Sequence, residues 1–355
     1  MEDYERKNRP LKGVEILFPA EWYPQSAVQL VWPEKYTDWA PLMDEVIPCY
    51  VAIAKEIVKR EKLLIVCTDE EAVRSQLGQE TDYSQITFGL AIFNDTWARD
   101  YGGISIIEEN VHKVVYNFTF NGWGMKYPAD LDNQVTPLLF TGAIFGFRTK
   151  LINMHPFVLE GGSIDTDGKG TLLTTKRCLT SMNRNEHLSQ DQIESYLKEC
   201  FGLKRVLWLS RGRLEGDDTG GHVDMLARFC NEDTIAYVQC TDRKERCYEE
   251  LKGMECELKT FTREDGKPYN LLPLPMADRV EWEGERLPAS YANFLIINGA
   301  VLAPFYNSPK DEVARAALQS VFTDREVTGV NCLPLIKQGG SLHCATMQYP
   351  LGFIE

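Results

Sequence analysis

Four Gly-Gly pairs mark the 355-residue sequence at nearly regular intervals. The first three begin at Gly102, Gly161 and Gly220, 59 residues apart, and the fourth begins at Gly339, 119 residues further on. A fixed internal period is typical of chains built from repeated supersecondary units. The spacing predicts a unit of about 60 residues, with one pair missing near position 280, and five such units would fill the chain.

Polar groups accompany each of these pairs. The four segments read Trp97-Ala-Arg-Asp100-Tyr-Gly-Gly, Leu159-Glu160-Gly-Gly, Asp217-Asp-Thr-Gly-Gly-His222-Val-Asp224 and Gly339-Gly-Ser-Leu-His-Cys344. Glycine permits a positive φ and lets a ligand approach the backbone closely. Because equivalent loops of a cyclic array converge on one centre, we expect the four polar clusters to face one another.

Strand and helix patterns alternate along the chain. Apolar runs and turn sequences predict strands at 63–67, 113–120 and 205–209, and hairpins at 162–175 and 293–306. Amphipathic spacing predicts helices at 46–59, 189–202, 243–253 and 310–322. This alternation indicates an α/β fold. Since no linker or low-complexity tract interrupts it, we predict a single domain over residues 1–355.

The formal net charge is −14. Nucleic acids and anionic membranes are bound by basic surfaces, so the charge argues against both partners, whereas it suits a small cationic ligand. Residues 1–13 lack the apolar core of a secretion signal, and no run reaches the roughly 20 apolar residues of a membrane helix. The ten cysteines form no CxxC pair, which disfavours a zinc ribbon. We therefore expect a cytoplasmic protein with reduced thiols.

Cys344 is the cysteine best suited to chemistry. Its segment, 338–348, combines glycines with hydroxyl and amide side chains, which favours an accessible thiol. The alternative is a buried structural cysteine, the usual state of this residue. A free thiol has a pKa near ~8.5 and must be activated to act as a nucleophile at neutral pH. If the segment is a strand, His343 points to the opposite face, so the base must come from elsewhere.

His222 is the candidate base. In an extended segment it shares a face with Asp224, two residues further on. A neighbouring carboxylate orients an imidazole or keeps it protonated. Two alternatives stay open: a structural His-Asp pair, and a metal ligand, although no second histidine stands at ligand spacing.

Acidic residues complete the set. Asp100 and Glu160 each stand beside a Gly-Gly pair, and the alternative for each is a solvated loop charge. A guanidinium is planar, permanently charged and rich in donors. Carboxylates bind it in its plane, and an aromatic ring such as Trp97 covers its face. Its carbon is a poor electrophile, so a thiolate nucleophile is required. The residues that we assign to hydrolysis of a guanidinium C–N bond are Cys344, His222, Asp100, Glu160 and Asp224.

These motifs resemble the agmatine deiminase family, within the larger group of guanidine-modifying enzymes that includes the peptidylarginine deiminases. The likeness extends over most of the chain, from Phe18-Pro-Ala-Glu-Trp22-Tyr-Pro and Val31-Trp32-Pro33 to the four Gly-Gly segments in order. It implies a five-bladed pseudo-symmetric α/β propeller of ββαβ-type units, with no metal and no organic cofactor.

The likeness also implies a role for each residue. Cys344 attacks the guanidinium carbon, and Asp100 and Asp224 hold the guanidinium nitrogens. His222 protonates the departing ammonia and then activates the water that hydrolyses a thiouronium intermediate, while Glu160 positions His222 and the substrate. The implied reaction converts agmatine to N-carbamoylputrescine and ammonia, a step towards putrescine.

The exact substrate is less constrained by the sequence. The chain departs from the family pattern at Ile104, Met225 and Ser341-Leu342. The amine tail of agmatine would prefer acidic residues, and the residues expected around the substrate are Trp97, Asp100, Asp224, Asp218, Asp217 and Trp32. An arginine-type substrate would need a cationic partner for its carboxylate, and the candidates are Arg99, Arg184 and Arg213.

Other functions stay open at this point. The enzymatic alternatives are a deiminase of free or peptidyl arginine, an amidinotransferase and a papain-like amide hydrolase. The alternative of another class is a propeller that serves as a binding module. A homo-oligomer is compatible with the sequence, which does not specify an oligomeric state.

Overall fold

The computed structural model describes residues 13–354. Most of the charged N-terminal segment, residues 1–12, lies outside this range, and so does the prediction made for it. None of the helices within residues 13–354 has both the length and the apolar character needed to cross a membrane.

The strands of the described residues form five sheets of three or four strands and one two-stranded sheet. Helices alternate with them, which confirms the predicted α/β fold. In sheet order, the large sheets consist of Ile16–Leu17, Ile104–Glu108, His112–Thr119 and Lys150–Val158; Arg205–Leu209, Thr171–Thr175 and Ile164–Thr166; Ala227–Asn231, Thr234–Gln239 and Asn270–Pro275; Leu295–Ile297, Ala300–Phe305 and Glu326–Asn331; and Thr346–Pro350, Gln25–Val31, Lys62–Cys67 and Ile86–Leu90. The small sheet pairs Glu281–Trp282 with Glu285–Arg286.

Every large sheet repeats one pattern: an antiparallel pair, then a helix, then a strand parallel to the second member of the pair. A parallel partner requires a crossover connection, which the helix supplies. In one example, Thr234–Gln239 pairs with Ala227–Asn231 and, after helix Tyr248–Leu258, with Asn270–Pro275. The pattern is the ββαβ arrangement expected for a repeating unit.

The fifth sheet joins the two ends of the described chain. Thr346–Pro350 pairs antiparallel with Gln25–Val31, which in turn pairs parallel with Lys62–Cys67. Residues 63–67 are fully buried. A strand that is covered on both faces reads as a continuous apolar run rather than an alternating one, which is why this strand is evident in the sequence.

Most predicted helices are confirmed. They are observed at Met43–Val58, Gln190–Phe201 and Lys310–Val321. Gln190–Phe201 begins with a capping box between Ser189 and Gln192 and ends at Gly202, whose φ of 64° is the left-handed conformation that glycine adopts without cost. The remaining longer helices are Glu70–Leu77 and Asp132–Thr141.

The predicted helix at 243–253 is wrong in its bounds, because the helix spans Tyr248–Leu258. Asp242 accepts a hydrogen bond from the backbone N–H of Lys244, and such local turns compete with helix formation. The buried residues Leu251, Met254 and Leu258 define the apolar face instead. Gly253 lies inside the helix, where a Cβ would come within 2.9 Å of the Arg211 side chain.

The polar segments occupy equivalent places in the fold. The short helical turns at Ala98–Tyr101, Gly161–Ser163 and Val223–Met225 each lie just before the first strand of a repeated antiparallel pair, and the turn at 342–345 lies just before Thr346–Pro350 in the same way. The repeat thus delivers one polar turn from each of four sheets.

Candidate active site

The four turns converge on one point, and Gly162 shows how closely. A Cβ at this position would lie 2.7 Å from Asp100 Oδ1, 2.7 Å from His222 Nδ1 and 3.0 Å from Asp224 Oδ2. The Gly162 N–H donates to Asp100 Oδ1 at 3.1 Å. Side chains from two distant parts of the chain therefore meet around the backbone of a third, which has room for glycine alone.

The route by which His222 and Asp224 reach the site differs from the prediction. The segment is not extended: His222 precedes the 3₁₀ turn Val223–Met225, and Gly220 and Gly221 have φ values of 94° and 95°. The argument from strand alternation is therefore wrong. Both side chains nonetheless face the same centre, because the glycines admit a sharp turn that only residues without Cβ adopt freely.

Cys344 is buried and lines the pocket described below. Its Sγ lies 3.6 Å from Asp224 Oδ2, and Asn293 Nδ2 donates to Sγ at 3.3 Å. Burial, together with the negative charges of Asp224 and Asp100, raises the pKa of the thiol well above its usual value. The free thiol is therefore protonated until a cation enters the site and offsets these charges.

The strand on which the prediction for His343 rested is not formed at this residue. Residues 342–345 form a turn, and the strand begins only at Thr346. The ring of His343 lies between two carboxylates, with Nδ1 2.8 Å from Asp224 Oδ2 and Nε2 2.7 Å from Glu21 Oε2. Burial alone would raise the pKa of Asp224, yet the hydrogen bond from His343 holds it below its usual value. Asp224 is therefore held as an anion beside the sulfur.

His222 and Asp100 form a second charged pair. His222 Nδ1 lies 3.5 Å from Asp100 Oδ1, and both side chains are buried. Burial by itself would lower the pKa of His222, but the Asp100 carboxylate raises it well above its usual value. Burial raises the pKa of Asp100 to about 6, although the charge of His222 acts in the opposite direction. The imidazole is thus a proton donor in the resting site.

Glu160 also lies close to the imidazole. It is fully buried, and Arg184 Nε donates to its two oxygens at 2.8 and 3.0 Å. Potential ligand atoms of Glu160, Cys178 and His222 all lie within 4.8 Å of one another. Among the described residues this is the one group of histidine, cysteine and acidic side chains that could hold a metal ion.

A pocket with about 420 Å³ of empty space, part of it open solvent, lies above Cys344. Trp97 forms one wall and packs so tightly on Gly340 that a Cβ there would come within 2.5 Å of the indole. Tyr127 donates to Asp218 Oδ2 at 3.1 Å across the pocket. The lining residues are Asp38, Asp95, Trp97, Asp100, Trp123, Tyr127, Asp218, Thr219, Gln338, Gly339, Gly340 and Cys344.

Not every predicted substrate residue lies here. Asp218 lines the pocket, whereas Asp217 accepts hydrogen bonds from the N–H and hydroxyl of Thr219 instead. Trp32 is in the hydrophobic core, where its indole donates to Gln76 at 2.6 Å, so its predicted contact with substrate does not fit the structure.

The predicted cationic partners for a carboxylate are also elsewhere. Arg184 is engaged by Glu160, as described above. Arg99 is buried and donates to Gln348 Oε1 at 2.6 Å, on the opposite side of the Ala98–Tyr101 turn from Asp100. Arg213 is exposed and is not among the described residues that line the pocket.

Two residues that donate hydrogen bonds to catalytic side chains were missed by the sequence reasoning, and so were Asp38, Asp95 and Tyr127 in the pocket lining. Trp123 lines the pocket, and its Nε1 donates to Asp100 Oδ2 at 2.8 Å. It lies in the turn Gly122–Met125, where this non-glycine residue has a left-handed φ of 55° between Gly122 and Gly124. The sequence Gly122-Trp-Gly124 was the signal that could have identified it.

Asn293 is the second missed residue. It is fully buried, and its Oδ1 accepts from the N–H of His343 at 2.8 Å and of Cys344 at 3.3 Å. It directly precedes Leu295–Ile297, the first strand of the remaining large sheet. Asn293 is therefore the contribution of the repeating unit that lacks a Gly-Gly pair.

Known proteins resemble this chain over nearly its whole length. A family model described as Porphyromonas-type peptidyl-arginine deiminase matches residues 17–350. The agmatine deiminase of Pseudomonas syringae pv. tomato is 32% identical, with 94% of this chain and 95% of that protein covered. The curated agmatine deiminase of Ectopseudomonas mendocina is 33% identical with the same coverage.

Solved structures agree with this relationship. A putative arginine deiminase from Porphyromonas gingivalis has 51% identity and a TM-score of 0.92, over 96% of this chain and 100% of that chain. An agmatine deiminase from C. jejuni, solved with substrate bound, has 37% identity and a TM-score of 0.89, over 98% and 99%. A DDAH structure from Pseudomonas aeruginosa, at 12% identity and a TM-score of 0.51, shares the fold. The chain belongs to the Porphyromonas-type peptidyl-arginine deiminase family.

Proposed function

We propose that the protein is a deiminase that hydrolyses agmatine to N-carbamoylputrescine and ammonia, with Cys344 as nucleophile and His222 as proton shuttle. The observation that carries the substrate choice is the charge of the pocket. Four aspartates line it and, among the described residues, no lysine or arginine does. A substrate that is cationic at both ends fits such a pocket, whereas the carboxylate of free arginine would meet repulsion without a partner.

The guanidinium binds between Asp100 and Asp224. Carboxylates accept its N–H groups in the plane of the cation, and Trp97 and Trp123 cover the walls of the pocket. Asp218, held by Tyr127, is placed to receive the amine tail together with Asp38 and Asp95. The cation also lowers the pKa of Cys344 towards a thiolate, because it offsets the charges of Asp100 and Asp224.

In the first half of the reaction, the Cys344 thiolate forms a bond to the guanidinium carbon. The C–N bond to one terminal nitrogen breaks, and that nitrogen leaves as ammonia with the proton that His222 donates. The product of this half is a thiouronium on Cys344. Asn293 donates to the sulfur and keeps it oriented towards the pocket.

In the second half, neutral His222 takes a proton from a water molecule, and the resulting hydroxide attacks the thiouronium carbon. The C–S bond breaks with its electron pair on sulfur, the remaining hydroxyl proton passes to the Cys344 thiolate, the neutral ureido product leaves, and His222 is again protonated. Glu160, fixed by Arg184, lies beside the imidazole and favours the charged form that begins each cycle. These steps use side chains of the chain alone.

A deiminase of arginine and an amidinotransferase are the rival enzymes. The family model and the P. gingivalis structure carry arginine in their descriptions, which makes peptidyl arginine the second candidate substrate. Transfer to an amine instead of water would require an acceptor to enter beside the bound substrate.

The test compares ammonia release by the purified protein from agmatine, free arginine and a peptide with C-terminal arginine. We expect agmatine to be preferred by at least about tenfold, the effect of about 1.4 kcal/mol of differential binding. Asp218→Asn should narrow this preference, and Cys344→Ser should abolish turnover while the protein stays folded. A preference for either arginine compound would overturn the substrate assignment, and a new guanidino product in the presence of added amines would indicate a transferase.

We also propose that the five large sheets are the blades of a propeller within a single domain. The repeated ββαβ pattern and the closure of the fifth sheet by both chain ends support this arrangement. The cytoplasmic location stays a prediction from the sequence.

A further inference from the structure

We propose that a divalent cation of the Zn²⁺ type binds between Glu160, Cys178 and His222 and inhibits the enzyme by occupying the proton shuttle. The inhibitory effect rests on the proposed function, whereas the binding itself does not. Cys178 has no part in the reaction described above, so its place beside the catalytic imidazole calls for a separate account.

The local fold directs Cys178 towards His222. Cys178 lies in the short helix Lys176–Leu179, and its N–H donates to the Thr175 hydroxyl at 3.3 Å. The same hydroxyl donates to the carbonyl oxygen of Gly221 at 2.6 Å, next to His222 in the chain. Thr175 thus ties the helix that carries the thiol to the turn that carries the imidazole.

The three side chains are a ligand set that zinc prefers. Zn²⁺ is bound by thiolate sulfur, imidazole nitrogen and carboxylate oxygen, with bonds of about 2.0–2.3 Å. An ion with such bonds joins ligand atoms up to about 4 Å apart. The three ligand atoms already lie within 4.8 Å of one another, so shifts of less than 1 Å would complete the site.

His222 supplies a second, independent indication of a missing partner. The residue is fully buried, yet neither ring nitrogen has a hydrogen bond of normal geometry among the described residues. A buried polar atom without a partner carries a cost that a bound ligand removes. Cys178 is fully buried as well, so a metal bridging the two would be shielded from water.

The charge of Arg184 lowers the affinity of this site for a metal ion but does not prevent the ion from binding. The single Nε–H of Arg184 is shared between the two oxygens of Glu160, and a carboxylate oxygen can accept a second partner. The positive guanidinium nonetheless opposes a second cation nearby. We therefore expect reversible inhibition by added zinc rather than a tightly held resident ion. Cys344 is outside the ligand set, since its Sγ faces Asp224 and Asn293.

The kinetic test measures ammonia release at a series of buffered free Zn²⁺ concentrations. For each protein the rate is expressed relative to its own rate without zinc. We expect the half-inhibitory concentration to rise at least about tenfold in Cys178→Ala, since a ligand bond is worth more than 1.4 kcal/mol. Cys178→Ser serves as the variant of matched size. Equal sensitivity of wild type and both variants would show that zinc does not act through Cys178, and would overturn the proposal.

A spectroscopic test does not depend on turnover. Co²⁺ replaces zinc in such sites and gives a thiolate-to-cobalt absorption band. Cys344→Ser should show this band, and the double variant Cys178→Ala with Cys344→Ser should lose it, with a matching loss of the zinc-induced rise in melting temperature. A band that persists in the double variant, or that is absent from Cys344→Ser, would refute the site. A failure of the guanidine substrate screen would leave this result unaffected.

Discussion

Asn293 offers the sharpest single perturbation of the site. Asn293→Ala removes the donor to Cys344 Sγ and the acceptor for the N–H groups of His343 and Cys344. A hydrogen bond to a charged group is worth about 1.5–3 kcal/mol, so the loss of the donor to the thiolate should lower kcat by about 10- to 150-fold. The loss of the acceptor leaves two buried N–H groups unsatisfied and should lower the free energy of unfolding by about 1–3 kcal/mol.

Asn293→Asp separates these two effects. The aspartate keeps an acceptor for the backbone N–H groups but replaces the donor to sulfur with a negative oxygen beside Asp224. We expect stability closer to that of the wild type and a larger loss of kcat than in the alanine variant, because the added charge opposes thiolate formation.

The assay pairs steady-state ammonia release with the pH dependence of Cys344 alkylation by iodoacetamide, which reports the pKa of the thiol. Denaturant unfolding gives the stability of each variant. Both substitutions should move the alkylation profile to higher pH, and Asn293→Asp should move it further. A folded alanine variant with kcat within a factor of two of the wild type and an unchanged profile would refute the role of Asn293.

Three further predictions follow from neighbouring residues. Gly162→Ala places a Cβ within 2.7 Å of Asp100 and His222 and should reduce kcat by about a hundredfold, whereas Gly142→Ala, whose nearest contact would be 3.4 Å, should leave the rate of ammonia release unchanged. Trp123→Phe removes the N–H that Asp100 accepts and should raise the KM for agmatine by about tenfold or more, without a change in melting temperature; an unchanged KM would contradict this. Burial alone would raise the pKa of Glu21, but Arg228 and His343 hold it well below its usual value. The ionised carboxylate therefore stabilises the fold above pH 4.5, the unfolded pKa, and this stabilisation is lost as the pH falls below that value. Glu21→Gln should be about 3–5 kcal/mol less stable at pH 7 and should lose less stability than the wild type between pH 6 and pH 3 in denaturant titrations.

The sequence identified those parts of the site in which the repeat is visible as a local motif, a Gly-Gly pair with polar neighbours. The Gly-Gly spacing predicted convergence of the turns that carry Asp100, Glu160, His222 and Cys344. The structure places Asp100 and His222 around Gly162, two residues after Glu160, and places Cys344 against Asp224. The four turns converge whatever their backbone conformation, because each lies just before the first strand of an antiparallel pair and this position repeats from sheet to sheet. The extended backbone predicted for His222 and Asp224 is therefore not observed, although their two side chains still lie at the same site.

Asn293 was missed for a related reason. Extrapolating the period placed the fourth unit near position 280, but that part of the chain forms the small sheet of Glu281–Trp282 and Glu285–Arg286. This insertion displaces the equivalent turn to the residues just before Leu295–Ile297. A period read from spacing alone cannot register an insertion. The shape of the substrate pocket likewise could not be predicted from the sequence. Trp123 and Tyr127 reach the pocket through a turn with a left-handed backbone, and such a turn has no apolar periodicity.

The proposed mechanism requires that the thiol of Cys344 and the imidazole of His222 act together on a planar guanidinium held by carboxylates. Acid quenching of the purified protein during turnover of agmatine, followed by peptide mass spectrometry, tests it most directly. We expect a thiouronium adduct on the peptide that contains Cys344, formed and lost at rates that match ammonia release. Turnover of agmatine with no adduct on that peptide, or with the adduct on another residue, would contradict it.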